Sequence, residues 1–281
     1  MTAVAYFRPR SVAEAVQTLA ATGAQILAGG TDFYPALGDR PVRTPVVDVS
    51  SVREIQTIEF FPEAIHIGGG ATWTQVLSAP LPRAFDCLKL AAREVGSVQI
   101  QNRGTVAGNL CNASPAADGI PPLLALDAMV ELVSAAGKRR LALDEFVLGN
   151  RTTARRPGEI LTRVIVPREI EDAASAFVKL GARRYLVISI SMVAAIVAVG
   201  ADGRVKAARV AIGSCAARAQ RLGELEKALA GREARRGLGD VVKGEHLLPL
   251  TPIDDVRATA EYRRDASLTL VRRAIEACIE T

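Results

Sequence analysis

The chain has 281 residues, of which 49% are hydrophobic and 23% charged, so it carries ample apolar material for a core and disorder is excluded as its main state. At about 150 residues per domain the length suggests roughly two units. Aromatics make up only 4%, which speaks against a stacking surface for single-stranded nucleic acid. The net charge of +5 is spread along the chain, and its densest basic runs, 138–140 and 151–156, read as solvated loops. The histidines, His66 and His246, are far apart, so a His-rich metal site is not expected. Cys87, Cys111, Cys215 and Cys278 form no C-x-x-C pair, which argues against iron–sulfur or structural zinc ligation. They suggest no disulfide framework either, and a reducing, cytoplasmic setting fits them best. Residues 1–11 lack the apolar segment of a signal peptide.

In chain order, Ser11 precedes Val12, Val16 and Leu19 on one helical face, with Glu14 placed for a capping box and Gly23 placed to end the helix. Residues 25–28 and 46–49 read as short strands, giving a β-α-β unit over 1–55. Residues 64–68 predict a strand, and Thr72 with Gln75 a second capping box opening a helix through Leu77. Residues 82–95 look helical, 96–122 form a polar stretch rich in Gly, Asn and Ser, and 123–126 a short apolar helix. Strands follow at 128–134 and 160–166, completing a second lobe over 56–170. The apolar run 185–200 is too short for a comfortable membrane span and reads as a buried strand entering a hairpin at Asp202–Gly203. Residues 176–180, 188–199 and 205–212 predict a three-stranded antiparallel meander, followed by helices at 218–229 and 255–279 in a unit spanning 171–281. The expected fold class is α+β.

Two loops have the composition for chemistry. In Ala28-Gly29-Gly30-Thr31-Asp32, consecutive glycines at a strand end permit positive φ and close ligand approach, and the exposed N–H groups of such a turn can form an anion nest. Gly-Gly is also a common plain turn. The second loop, 103–110, contains Thr105, Gly108 and Asn109 and continues through Ser114 to Asp118. A phosphate-bearing ligand or a hydrated surface would each satisfy its backbone. Neither loop matches G-x-G-x-x-G, and no P-loop is present. From residues alone, these are two Gly/Thr loops able to hold a diphosphate between α/β lobes. Cys111 reads as a small buried filler, His66 as structural and Trp73 as core or interface. Tyr185 is a candidate stacking ring, with core packing an equal alternative.

The segments AGGTD and QIQNRGTVAGNLCNASPAAD, with DDVRATAEYRR and LVRRAI near the end, resemble the FAD-binding (medium) subunit of the molybdenum hydroxylases. That family includes the medium subunit of carbon monoxide dehydrogenase and the flavin domain of xanthine dehydrogenase, and the resemblance covers nearly the whole chain. It implies a two-lobed α/β FAD-binding domain of the PCMH type followed by an α+β C-terminal domain. By matching position it implies FAD contacts at Ala28, Gly29, Gly30, Thr31 and Asp32, at Thr105, Gly108 and Asn109, and at Ser114, Asp118 and Lys179. The segment after Arg183-Arg184 departs from the family, which often has an acidic residue there; here Tyr185-Leu186-Val187-Ile188 follow. The resemblance further implies non-covalent FAD, no catalytic side chain, and electron transfer to an acceptor such as NAD or a quinone. Its implied partners are a molybdopterin-binding large subunit and a small subunit with 2Fe–2S clusters. A self-sufficient flavin oxidase and a non-catalytic nucleotide-binding module are the alternatives.

Overall fold

The computed structural model describes residues 4–280. It opens with β1 (Tyr6–Phe7), α1 (Val12–Thr22), β2 (Gln25–Leu27), α2 (Phe33–Leu37) and β3 (Val46–Asp48). The strands form a parallel sheet in the order β1-β3-β2. The Ser11 hydroxyl accepts the Glu14 N–H at 3.2 Å, and Gly23, at φ 60°, closes the helix by donating to the Leu19 carbonyl. The Glu14 carboxylate reaches one residue further back than a capping box requires, accepting the Arg10 N–H at 2.8 Å. Ala15, Val16 and Leu19 pack on Val47 and Val49 to form the first core.

The chain continues through β4 (Ile58–Phe60), β5 (Ala64–Gly68), α3 (Trp73–Ser78), α4 (Asp86–Glu94), α5 (Val98–Gln101), α6 (Val106–Asn112) and α7 (Ile120–Ala125). Next come β6 (Met129–Ser134), β7 (Gly137–Ala142), α8 (Leu143–Phe146), β8 (Val147–Gly149), β9 (Thr152–Thr153) and β10 (Ile160–Pro167). An antiparallel sheet in the order β4-β5-β10-β6-β7 forms the second layer, beside a small β8-β9 hairpin. The capping box at α3 forms in full: Thr72 Oγ1 accepts the Gln75 N–H at 3.3 Å, and Gln75 Oε1 accepts the Thr72 N–H at 2.8 Å. The polar stretch after residue 96 contains two short helices as well as loop, because Thr105 caps α6. Strand β7 gives no sequence signal: its Lys138, Arg139 and Arg140 are the charges that protect a sheet edge.

Last are β11 (Ala174–Leu180), β12 (Ser191–Val199), β13 (Val205–Gly213), β14 (Gln220–Arg221), α9 (Gly223–Leu229) and α10 (Ala260–Ile279). The expected meander is present as an antiparallel sheet, extended by the two-residue β14 where a helix was expected to begin. Helix α10 starts five residues later than the sequence suggested, after Asp255 has folded the preceding segment into a turn by accepting the Arg257 and Ala258 N–H groups. Strand β12 starts at Ser191, leaving 185–188 outside the sheet. Its alternation explains the continuous apolar run: Met192, Ala194 and Ile196 enter the large core beneath the second sheet, while Val193, Ala195 and Val197 enter a separate core under α10. This sheet is buried on both faces and shares a core with the second layer.

Candidate functional site

A cleft of about 880 Å³ opens between the first sheet and the second layer. Ala28, Gly29, Gly30, Thr31 and Asp32 form one wall, leaving the carboxyl end of β2, the usual ligand-facing end of a parallel sheet. Gly69, Gly70, Thr105, Gly108 and Asn109 form the other wall. The loops meet at Gly29, where a Cβ would collide with the backbone carbonyl of Arg103. Gly30 has φ +78° and lies under the Tyr34 ring. Both glycines are therefore required by their surroundings.

The two loops differ in what they leave available. Among the described residues the N–H groups of Gly30, Thr31 and Asp32 have no protein acceptor. In the second loop the amides are already committed. Val106 N–H donates to the Ala71 carbonyl at 3.0 Å, Ala107 N–H to Gly69 at 2.9 Å and Asn109 N–H to Thr105 at 3.0 Å. Gly108 N–H donates to Thr105 Oγ1 at 3.1 Å, and a Cβ at Gly108 would press on that hydroxyl. Thr105 is thus a helix cap, and Gly108 is the small residue that the cap tolerates. The open valence of this loop is the Asn109 side chain, whose Oδ1 is buried with no hydrogen-bond partner. A buried acceptor left bare is costly unless a ligand supplies a donor.

Ser114, Asp118 and Lys179 do not line this cleft. Ser114 Oγ accepts the Ala116 N–H at 3.3 Å in a local turn. Asp118 and Lys179 form a buried ion pair at 2.9 Å, and Ser189 Oγ donates to the other Asp118 oxygen at 2.9 Å. Burial pushes the Asp118 carboxyl above its usual range, and the adjacent Lys179 ammonium opposes that shift. Lys179 forms part of the wall of a second cleft of about 410 Å³, together with Glu94, Gly181, Arg183, Arg184 and Val187. Consecutive residues line the two clefts, Glu94 the second and Val95 the first.

The ionisable groups lining the large cleft are Asp32, Arg155 and Cys111. Burial pushes the Cys111 thiol up to about 11, so it is protonated at neutral pH and suits a filler role. Trp73 is fully buried and contributes one edge to the cleft wall. Tyr185 is half exposed and lines neither cleft. His66 stacks on Phe61 at 4.5 Å, and burial followed by Arg163 holds its imidazole below the usual histidine range, in keeping with a structural role. Sequence reading missed Gly69, Gly70, Asn112, Arg155 and Gly158 as cleft residues; the signal for the first two was the Gly68-Gly69-Gly70 run at the end of β5.

The fold and cleft define a nucleotide-cofactor protein in which backbone donors and small residues, rather than titratable side chains, face the ligand. The profile of the FAD binding domain in molybdopterin dehydrogenase matches residues 2–169, and that of the CO dehydrogenase flavoprotein C-terminal domain matches 176–278. The chain belongs to this flavoprotein family of dehydrogenase subunits. It is similar to the nicotinate dehydrogenase FAD-subunit of Eubacterium barkeri, 41% identical over 170 residues, or 59% of this chain and 57% of that protein. It is 31% identical to the caffeine dehydrogenase subunit beta of Pseudomonas sp. (strain CBB1) over 98% of this chain and 94% of that one. Among solved structures, a chain of carbon monoxide dehydrogenase from Hydrogenophaga pseudoflava superposes with a TM-score of 0.90 at 26% identity, covering 99% of this chain and 97% of that one.

The residues present fit FAD. The cleft is within the usual range for cofactor sites. Its free amides match phosphate oxygens, and the small residues of both walls leave room for close approach.

Proposed function

We propose that this chain is the electron-transfer flavoprotein subunit of a molybdenum-hydroxylase-type dehydrogenase. FAD would be held non-covalently, with Gly30, Thr31 and Asp32 donating backbone N–H groups to its phosphates and Asn109 accepting from it. Ala28, Gly29 and Gly108 keep the approach open, and Thr105 fixes the helix that presents Asn109. When bound, FAD supplies one- and two-electron redox chemistry. Asp118, Lys179 and Ser189 form the charged flank of the site, and Ser114 shapes the loop leading to it. The partners would be a small subunit with 2Fe–2S clusters and a large molybdopterin-binding subunit, with NAD or a quinone as acceptor. A cytoplasmic location fits the free cysteines; among the described residues no helix is long and apolar enough to cross a membrane. Two lobes over 1–55 and 56–170 and a C-terminal unit over 171–281 are the division that the separate sheets favour.

The observation that carries this reading is the convergence of unpaired backbone donors on a cleft whose opposite wall is built of Gly69, Gly70, Thr105, Gly108 and Asn109. Among the described residues no histidine lines the cleft and its one carboxylate, Asp32, belongs to the glycine loop, which favours the subunit reading over a self-sufficient oxidase. The test is anaerobic stopped-flow of the FAD-loaded chain with aldehydes, purines or carbon monoxide, with and without partner subunits. The expected result is no flavin bleaching without partners. Rapid bleaching by an organic substrate alone would overturn the subunit reading.

A further inference from the structure

We infer that Arg155 is the counter-charge of the large cleft, a guanidinium presented to the diphosphate of the bound dinucleotide. The inference rests on the function proposed above and adds a binding residue to it. Among the described residues, the ionisable groups lining the cleft are one acid, Asp32, one protonated thiol, Cys111, and one cation, Arg155. A diphosphate adds negative charge to walls that already carry Asp32. The free amides of Gly30, Thr31 and Asp32 supply only partial positive charge. A full positive charge in the same cleft offsets the remainder and raises the local concentration of an anionic ligand.

Arg155 is also the arginine of its segment that the protein leaves unspent. Arg151 donates from its guanidinium to Asn112 Oδ1 at 2.5 Å and from its backbone to the Ala113 carbonyl at 2.9 Å. Arg156 donates its backbone N–H to Glu159 Oε2 at 2.6 Å and does not line the cleft. The Arg155 guanidinium donates to the Glu159 carbonyl at 3.0 Å and forms no ion pair among the described residues. The nearby Glu159 carboxylate is already taken, because Arg139 Nε and Nη2 donate to its two oxygens at 2.6 and 2.8 Å. Most of the N–H donors of Arg155 therefore remain available.

The loop that presents Arg155 is locked from both sides. Arg139, on the edge strand β7, also donates to the Ala154 carbonyl at 2.7 Å, and the Ala154 N–H donates to the Phe146 carbonyl at 2.8 Å. One arginine thus fixes the residue before Arg155 and, through Glu159, the far end of the turn. Gly158, at φ +77°, makes that turn and lines the cleft with Pro157. The Arg155 charge opposes the burial that raises the Cys111 thiol, which puts it within electrostatic reach of α6 on the opposite wall from the glycine loop. A charge carried on a braced loop loses less freedom on binding than one on a mobile loop.

The test uses the full chain stripped of flavin and compares wild type, Arg155→Gln, Arg155→Lys and Arg155→Glu. Arg156→Gln is the control, since it removes the same charge from a neighbouring residue that does not line the cleft. FAD affinity is measured by fluorescence titration and association by stopped-flow, each at low and high salt. ADP-ribose, which carries the diphosphate without the flavin ring, is titrated as a competitor, and the unfolding midpoint of each flavin-free chain is recorded. Arg155→Gln should weaken FAD and ADP-ribose by the same factor, about tenfold, with an unchanged midpoint. Its association should be slower and less dependent on salt. Arg155→Lys should recover most of the association rate and less of the affinity, because an ammonium keeps the charge but not the forked donors. Arg155→Glu should bind most weakly, and Arg156→Gln normally. Wild-type affinity and salt dependence in a folded Arg155→Gln chain would overturn the inference. So would an equal loss in Arg156→Gln, or weakened FAD binding with ADP-ribose unaffected, which would assign Arg155 to the flavin ring. Should Arg155→Gln fold poorly, wild-type association that does not vary with salt would overturn it by itself. A wild-type chain that binds neither FAD nor ADP-ribose would overturn the reading of the cleft, and this inference with it.

Discussion

The two clusters that flank the Glu94–Val95 segment are built on opposite principles. The large cleft ends in open valences: free amides at Gly30, Thr31 and Asp32, and a bare oxygen at Asn109. The Asp118–Lys179–Ser189 cluster is closed, each carboxylate oxygen having its own donor. Exposed amides can be satisfied by water or by a ligand, and the buried Asn109 oxygen is costly while bare, whereas a closed set holds its shape without either. The same contrast recurs between the Gly/Thr loops, one with its amides free and the other with its amides spent on capping and cross-links. A shared composition of glycine, threonine and polar residues therefore conceals different roles.

The largest expected effect breaks the closed cluster. Asp118→Asn leaves the Lys179 ammonium buried without a counter-charge and should cost about 3–5 kcal/mol in urea unfolding, with or without FAD. If stability were lost only in the presence of FAD, Asp118 would belong to the open set.

Gly30→Val comes next. It forces a β-branched residue to φ +78° against Tyr34, at a cost of about 1–3 kcal/mol, and should abolish flavin retention while circular dichroism shows much of the fold intact. Gly108→Val should also lose flavin, through displacement of the Thr105 cap. Normal occupancy in both variants would refute the loop assignment. Thr105→Ala should cost about 0.5–2 kcal/mol as a lost cap, and Thr105→Ser should restore most of it. That rescue separates a capping role from direct ligand contact, in which the methyl group would also count.

Asn109→Ala sharpens the contrast because its sign depends on the ligand. It should lower FAD affinity by about 0.5–1.5 kcal/mol, measured by flavin titration, yet leave the apo chain as stable or more stable, since it removes an unpaired buried acceptor. A loss of apo stability would show that Asn109 is closed like Asp118.

The smallest effect is expected in acid. Partial burial raises the Asp255 carboxyl, but hydrogen bonds from the Arg257 backbone and the Arg263 and Arg257 guanidinium groups outweigh it and hold it at about 2. A folded-state value below the unfolded one means stability present above about pH 4 and lost as pH falls toward 2. Asp255→Asn should flatten that part of an acid-unfolding curve without changing its alkaline side.

Some of this architecture can be read from the chain alone. The caps at Ser11 and Thr72 and the stop at Gly23 are local, because they involve groups within a few residues of each other. The apolar runs of β5, β10, β12 and β13 are likewise visible, since burial imposes a pattern on the strand itself. The Gly29-Gly30 loop announces its conformational freedom in its composition. What the sequence does not contain is the partner of each polar group. Whether the Gly108 amide is free depends on Thr105, but the Val106 and Ala107 amides are taken by Ala71 and Gly69, carbonyls more than thirty residues away. Likewise, Asp118 meets Lys179 and Ser189 only after the third sheet packs on the second layer. β14 displaced the start of an expected helix because Gln220 and Arg221 found the edge of β13. Local patterning thus determined the capped helices, the apolar strands and the glycine turn. Tertiary packing decided which valences stay open for a ligand, because that depends on pairing between distant residues.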